Sequence, residues 1–166
     1  MELFVLRHAI ALTASEAGVN SDAERPLSEE GRDKMKRIAA AMKRLEIDVD
    51  LVLSSPYVRA RETALLAHEG LGLSGRLEFT KALASGADLS EILAELKDQF
   101  LQHKRILIVG HEPDLSSLIS RITAQSRLHV EMKKAALAKI GITQTRPELR
   151  GALEFLLPPK VMLHVR

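Results

Sequence analysis

Short, nearly continuous apolar runs alternate along this chain with longer stretches whose apolar residues recur every three or four positions. Glu2–Leu6 is the first run; Leu3, Phe4, Val5 and Leu6 follow one another without the polar alternation of a one-sided surface strand. Leu51–Leu53 and Ile106–Val109 have the same character, and a weaker strand is predicted near Leu77–Phe79. Between them the period becomes helical. Ser28 caps a predicted helix to about Leu45, with Glu29 and Glu30 in its first turn and Met35, Ile38, Ala39, Met42 and Leu45 as its apolar stripe. Ser55-Pro56 predicts a helix start running to about Ala67, and Asp88 with Glu91 a capping box for a helix to about Phe100. Pro113 opens a predicted final helix through about Thr123.

Strands alternating with helices predict an α/β fold: a three-layer α/β/α sandwich around a mostly parallel central sheet. The tail has two readings. Met132–Ile140 is helical by propensity, whereas Arg150–Leu157 has the look of a strand, and a strand pair joined through Gly141–Arg150 would complete a sheet edge.

The 166 residues suit one domain, 1–166, long enough to bury a core without metal or disulfide. Cysteine is absent, which excludes disulfides, thiol catalysis and cysteine-ligated zinc, and fits a reducing compartment. The formal net charge is only +2 and the charges are interspersed, so no basic arm for nucleic acid is present. Aromatic residues make up 3%, too few for a base-stacking surface. The first apolar run is cut off at Arg7 and no stretch is long enough to span a bilayer. The expectation is a cytoplasmic protein with neither membrane nor nucleic acid as partner.

Open α/β sheets bind ligands outside the carboxyl ends of their strands. Three predicted strands end in reactive groups there: Leu6-Arg7-His8, Leu53-Ser54-Ser55-Pro56 and Val109-Gly110-His111, with Arg59 in the helix after the second. A phosphoryl group in transfer spreads charge over three oxygens. Arginine matches two of them with a fixed fork of donors and keeps its proton. Histidine presents a nucleophilic nitrogen at neutral pH, and adjacent arginines disfavour its protonated form. His8 as nucleophile would split hydrolysis into two steps. Arg7, Arg59 and His111 would bind the phosphoryl oxygens.

These segments resemble the histidine phosphatase superfamily, which includes the cofactor-dependent phosphoglycerate mutases. Leu6-Arg7-His8-Ala9 is similar to its Arg-His-Gly signature. Ser54 to Thr63 (SSPYVRARET) is similar to its Ser-x-x-x-x-Arg-Ala-x-x-Thr segment. Gly110-His111-Glu112-Pro113 has the form found in the small SixA-type phosphohistidine phosphatases, and Arg25-Pro26-Leu27-Ser28-x-x-Gly31 is similar to a stretch of that subgroup. Any one match is uninformative; four in the family's order, from about Leu3 to Leu118, are specific. The resemblance implies a phosphoglycerate mutase-like fold, a nucleophile at His8 and phosphate contacts from Arg7, Arg59 and His111. It also implies a late strand near Leu137–Ile142. No His-x-His, His-Glu-x-x-His or Asp-rich cluster is present, and two histidines beside two arginines make a poor cation site, so neither metal nor cofactor is expected.

Two departures stand out. Ala9 replaces the glycine that usually follows the nucleophile, and around Leu83–Asp88 there is no signature for the acid that protonates a leaving oxygen. An alkoxide gains much from such an acid, about 10²–10⁴-fold. A phosphohistidine carries an imidazole that protonates near neutral pH and needs less help. The favoured substrate is therefore phosphohistidine on a signalling or phosphotransfer protein. The alternatives are a small-metabolite phosphomonoesterase, with Glu112 or Asp88 as acid, and a phosphate-binding module without turnover. Arg25 has two even readings, lining the substrate side of the pocket or pairing with Glu24 or Asp22. Asp88 reads as a helix cap. His68, His103, His129, His164 and the Lys133-Lys134 pair read as structural or solvated.

Overall fold

A computed structural model describes residues 1–124 and 128–165. Six strands form one sheet: β1 (Glu2–Arg7), β2 (Leu51–Ser54), β3 (Arg76–Phe79), β4 (Arg105–Gly110), β5 (Leu137–Gln144) and β6 (Arg150–Leu157). The helices are α1 (Ala14–Ala17), α2 (Glu29–Arg44), α3 (Val58–Leu71), α4 (Leu89–Gln99), α5 (Asp114–Thr123) and α6 (Pro159–Met162). The strand order is β3-β2-β4-β1-β5-β6. β1, β2, β3 and β4 run parallel, and β5 and β6 join antiparallel beside β1.

The period of two along each strand divides the core. Phe4, Leu6, Val52, Leu107 and Val109 pack on the side of α2, α3 and α6. Leu3, Val5, Leu51, Leu53, Ile106 and Ile108 pack on the side of α4 and α5. Both sets are almost wholly buried, which accounts for the continuous apolar runs: a strand covered on both faces has no polar side. This is the expected three-layer sandwich.

Local departures have local causes. The cap position of α3 is Tyr57, without a side-chain cap bond, so the helix starts two residues later than Ser55-Pro56 predicts. The Ser55 hydroxyl accepts from the Tyr57 amide at 3.2 Å instead. Asp88 caps α4 through the Ser90 amide and hydroxyl rather than through a reciprocal box with Glu91. The helix opened by Pro113 is not the last, since α6 follows β6. The helical propensity of Met132–Ile140 loses to the sheet, because Leu137 to Gly141 pairs with Leu6 to Glu2. No helix among the described residues is long and apolar enough to cross a membrane.

Candidate active site

The parallel registers bring three strand ends to one level. Arg7 lies opposite Gly110 and Ser54 opposite Val109. The pairing continues one residue further: the His8 amide donates to the Gly110 carbonyl at 3.1 Å and the Ser55 amide to the Val109 carbonyl at 2.9 Å. His8, Ser55 and His111 therefore emerge side by side. The two imidazole rings lie 5.1 Å apart, centre to centre.

His8 is 7% exposed, and its Nδ1 lies 2.8 Å from the Ala9 carbonyl. A carbonyl only accepts, so Nδ1 carries the proton and the lone pair is on Nε2. Arg59 Nε donates to that nitrogen at 3.3 Å. Burial, with the charges of Arg59, Arg7 and Lys134, pushes the His8 pKa down to about 4 against the opposing Ala9 bond. Burial also pushes His111 down to about 3, with His8 and the arginines adding to it. Both rings are thus neutral at pH 7, and His8 keeps its lone pair.

Arg59, 4% exposed, is held on every nitrogen. Nη1 donates to the Asp22 carbonyl at 2.6 Å and Nη2 to Asp22 Oδ2 at 2.9 Å. The other oxygen of Asp22 pairs with Arg25 Nη1 at 2.7 Å, and Arg25 Nε donates to the Leu12 carbonyl, also at 2.7 Å. Arg25 thus does what its pairing reading predicts, and it reaches the site through Asp22. Bonds from Arg25 and then Arg59 hold the Asp22 carboxyl below the usual carboxylate range, against a smaller cost of burial. Sequence reasoning places Asp22 only beside Arg25 and misses its contact with Arg59. Its only local signal is the spacing of three to Arg25; its contact with Arg59 spans 37 residues.

Arg7 donates from Nη1 to the Met132 carbonyl at 2.7 Å. Its Nε and the Nδ1 of His111 are buried without a hydrogen bond. Buried polar atoms lacking partners are unusual, and these two belong to residues beside His8. Glu112, half-buried, spends both carboxylate oxygens on Ser116.

The remaining motif residues act as scaffold. Thr63 Oγ1 accepts from the Ala9 amide at 3.0 Å and donates to the Arg59 carbonyl at 2.7 Å, tying the loop after His8 to Arg59. Ala9 is fully buried and outside the left-handed region, so the methyl group is accommodated where the family has glycine. Gly31 is required by close approach, since a Cβ there would run into the Ile10 carbonyl. Glu62 accepts from the Leu27 amide and pairs with Arg32. Ahead of β5, the Ala135 amide lies 3.1 Å from the Arg7 carbonyl and 3.2 Å from that of His8, with Ala135 at φ 64. This turn puts the exposed Lys134 near enough for its charge to act on His8.

A family model described as histidine phosphatase superfamily (branch 1) matches residues 3–85, half of the chain, and takes in His8, Arg25 and Arg59. The chain belongs to the histidine phosphatase superfamily. An uncharacterized protein of Picosynechococcus sp. is 32% identical over 98% of this chain and 99% of its own. The phosphohistidine phosphatase SixA of Escherichia coli is 29% identical over 74% of each chain. Among solved structures, SixA complexed with tungstate superposes with a TM-score of 0.85 at 22% identity, covering 96% of this chain and 98% of that one. The alpha-ribazole phosphatase of Shigella flexneri reaches 0.74 at 20% identity, covering 96% and 97%. These superpositions establish the phosphoglycerate mutase-like fold, and membership of this superfamily supports phosphatase activity. Among the described residues, no group of three or more His, Asp or Glu side chains could hold a metal ion.

Proposed function

We propose that this histidine phosphatase removes the phosphoryl group from phosphohistidine on a protein, without a metal, through a covalent intermediate on His8. The observation that carries the reading is that the site has a nucleophilic lone pair but, among the described residues, no acid left without a partner. Glu131 is paired with Lys133, and Asp88 is bonded to Ser90. Both histidines are neutral at pH 7, Asp22 is tied to two arginines, and Glu112 is bonded to Ser116. A leaving group that becomes an alkoxide would have to depart without a proton. The imidazole of phosphohistidine protonates near neutral pH and leaves as a neutral ring.

In the first step His8 Nε2 attacks phosphorus, the Nε2–P bond forms and the P–N bond of the substrate breaks, its electron pair going to the departing imidazole. In the second, water attacks that phosphorus, the Nε2–P bond breaks with its electron pair returning to His8, and the water's oxygen and protons leave in the inorganic phosphate. Arg7, Arg59 and His111 carry the charge of the phosphoryl oxygens through both steps, and Arg25 assists through Asp22. The tungstate, a tetrahedral oxyanion, in the SixA structure agrees with such a site. The SixA relative is named for this same substrate class, and the lack of cysteine agrees with a cytoplasmic setting.

Small-metabolite phosphatase activity is the second reading, favoured by the fold shared with the alpha-ribazole phosphatase. Comparing kcat/KM on a phosphohistidine peptide with that on sugar phosphates separates the two. The proposal requires the phosphohistidine peptide to be preferred by a wide margin; equal or better turnover of sugar phosphates would reject it.

A further inference from the structure

The two active-site imidazoles have opposite duties. His8 must present a lone pair, whereas His111 must present an N–H, because a lone pair aimed at an anion repels it. Neutral imidazole has one of each, so the duty of each ring is decided by its tautomer, and that is set by the bond the other nitrogen makes. For His8 the Ala9 carbonyl decides. For His111 the deciding neighbour is a hydroxyl, which can donate or accept.

His111 Nε2 lies 2.8 Å from Ser55 Oγ, and both residues are buried, at 2% and 0% exposure. Ser55 Oγ already accepts the Tyr57 amide hydrogen at 3.2 Å. Among the described residues, the acceptor its own proton meets is Nε2 of His111. Were Nε2–H to donate instead, Ser55 would be left with an unsatisfied buried O–H, and the Nδ1 lone pair would also be buried without a partner.

We infer that Ser55 is a positioning residue that fixes the His111 tautomer: its hydroxyl donates to Nε2, keeps the ring proton on Nδ1, and so makes Nδ1–H the donor to the phosphoryl oxygens. The unpartnered, buried Nδ1 is the second observation on which this stands. The backbone supports the assignment. The Ser55 amide is fixed to the Val109 carbonyl, in the strand that carries His111, so hydroxyl and ring are held by one pair of strands. Pro56 follows and α3 starts only at Val58, which leaves the hydroxyl free of helix capping. The depressed His111 pKa agrees, since a neutral ring is the one for which tautomer matters.

The inference rests on His111 acting as a phosphoryl donor, and its test is arranged to fail separately from that reading. Nitrogen-15 NMR of the histidine rings in the wild-type protein at pH 7 reads the tautomer directly, with His111→Gln identifying the signals. His111 is expected as the Nδ1–H form; an Nε2–H form overturns the inference whatever the enzyme does. Ser55→Ala is expected to move His111 toward a mixture of tautomers and to lower kcat on a phosphohistidine peptide about 10–100-fold, somewhat less than the loss of a whole preorganised donor. Ser55→Thr, which keeps the hydroxyl, should restore both, and it remains informative where Ser55→Ala folds poorly. Because Ser55 acts through His111, adding Ser55→Ala to His111→Gln should cost no further activity. A full additional loss in that double variant, or an unchanged tautomer in Ser55→Ala, refutes the assignment. Absence of phosphatase activity in the wild type would strike at the proposed function and leave the tautomer measurement standing.

Discussion

Acidification from pH 7 to pH 5 should destabilise this protein well before its carboxylates titrate, because two buried imidazoles resist protonation. In the unfolded chain both titrate near 6.5; in the folded protein burial lowers His8 to about 4 and His111 to about 3. The folded values are depressed, so the unfolded state takes up protons first and stability falls as the pH drops below 6.5. At pH 5 nearly every unfolded histidine is charged while the folded rings remain neutral. The difference is about 2 kcal/mol for each residue relative to pH 7, or about 4 kcal/mol for the pair. That is a large part of a typical 5–15 kcal/mol for a domain. The loss from His8 levels off near pH 4 and that from His111 near pH 3. Urea denaturation at a series of pH values measures it, with His8→Gln and His111→Gln each expected to remove about half of the slope between pH 6.5 and 5. A stability that is flat across that interval, or a slope unchanged in both variants, would refute the electrostatic description of the site.

Other consequences are equally specific. Asp22→Ala removes the carboxylate that orients Arg59 and recruits Arg25, while the backbone bond to Arg59 remains. Because that carboxylate is half exposed, folding stability should fall by no more than about 1 kcal/mol. Steady-state kinetics should show kcat reduced about tenfold through loosened positioning; an unchanged kcat would show that the Asp22 carbonyl and His8 hold Arg59 without the carboxylate. Gly31→Ala should destabilise the fold by about 1–3 kcal/mol in thermal unfolding, despite the better helix propensity of alanine, because the new methyl meets the Ile10 carbonyl. Wild-type stability in that variant would mean that the loop after His8 yields easily.

The chain's own pattern carries most of the sheet. Its continuous apolar runs reflect a strand covered on both faces, and the candidate site sits just past those runs, at Arg7-His8 and His111, where the parallel strands must end together. What was not legible depends on partners distant in sequence. The strand over Leu137–Gln144 has helical local propensity ahead of it and becomes a strand because β1 offers a free edge. Its placement came from family resemblance and not from its residues. Asp22 resembles any surface acid beside an arginine until α3 brings Arg59 to it from 37 residues away. Ser55 resembles a helix cap because a proline follows; only the register of β2 against β4 turns its hydroxyl toward His111. Arg25 has two even readings in the sequence for the same reason: its neighbour Asp22 is visible there, but the contact of Asp22 with Arg59 is not.

The central claim is that His8 Nε2 attacks phosphorus. A rapid-quench experiment with a peptide labelled on phosphohistidine, comparing wild type and His8→Ala, addresses it most directly. The account predicts acid-labile, alkali-stable label on the wild-type protein within one turnover, mapped to His8, and neither label nor turnover in the variant. Turnover that survives in His8→Ala, or label found on another residue, would contradict it.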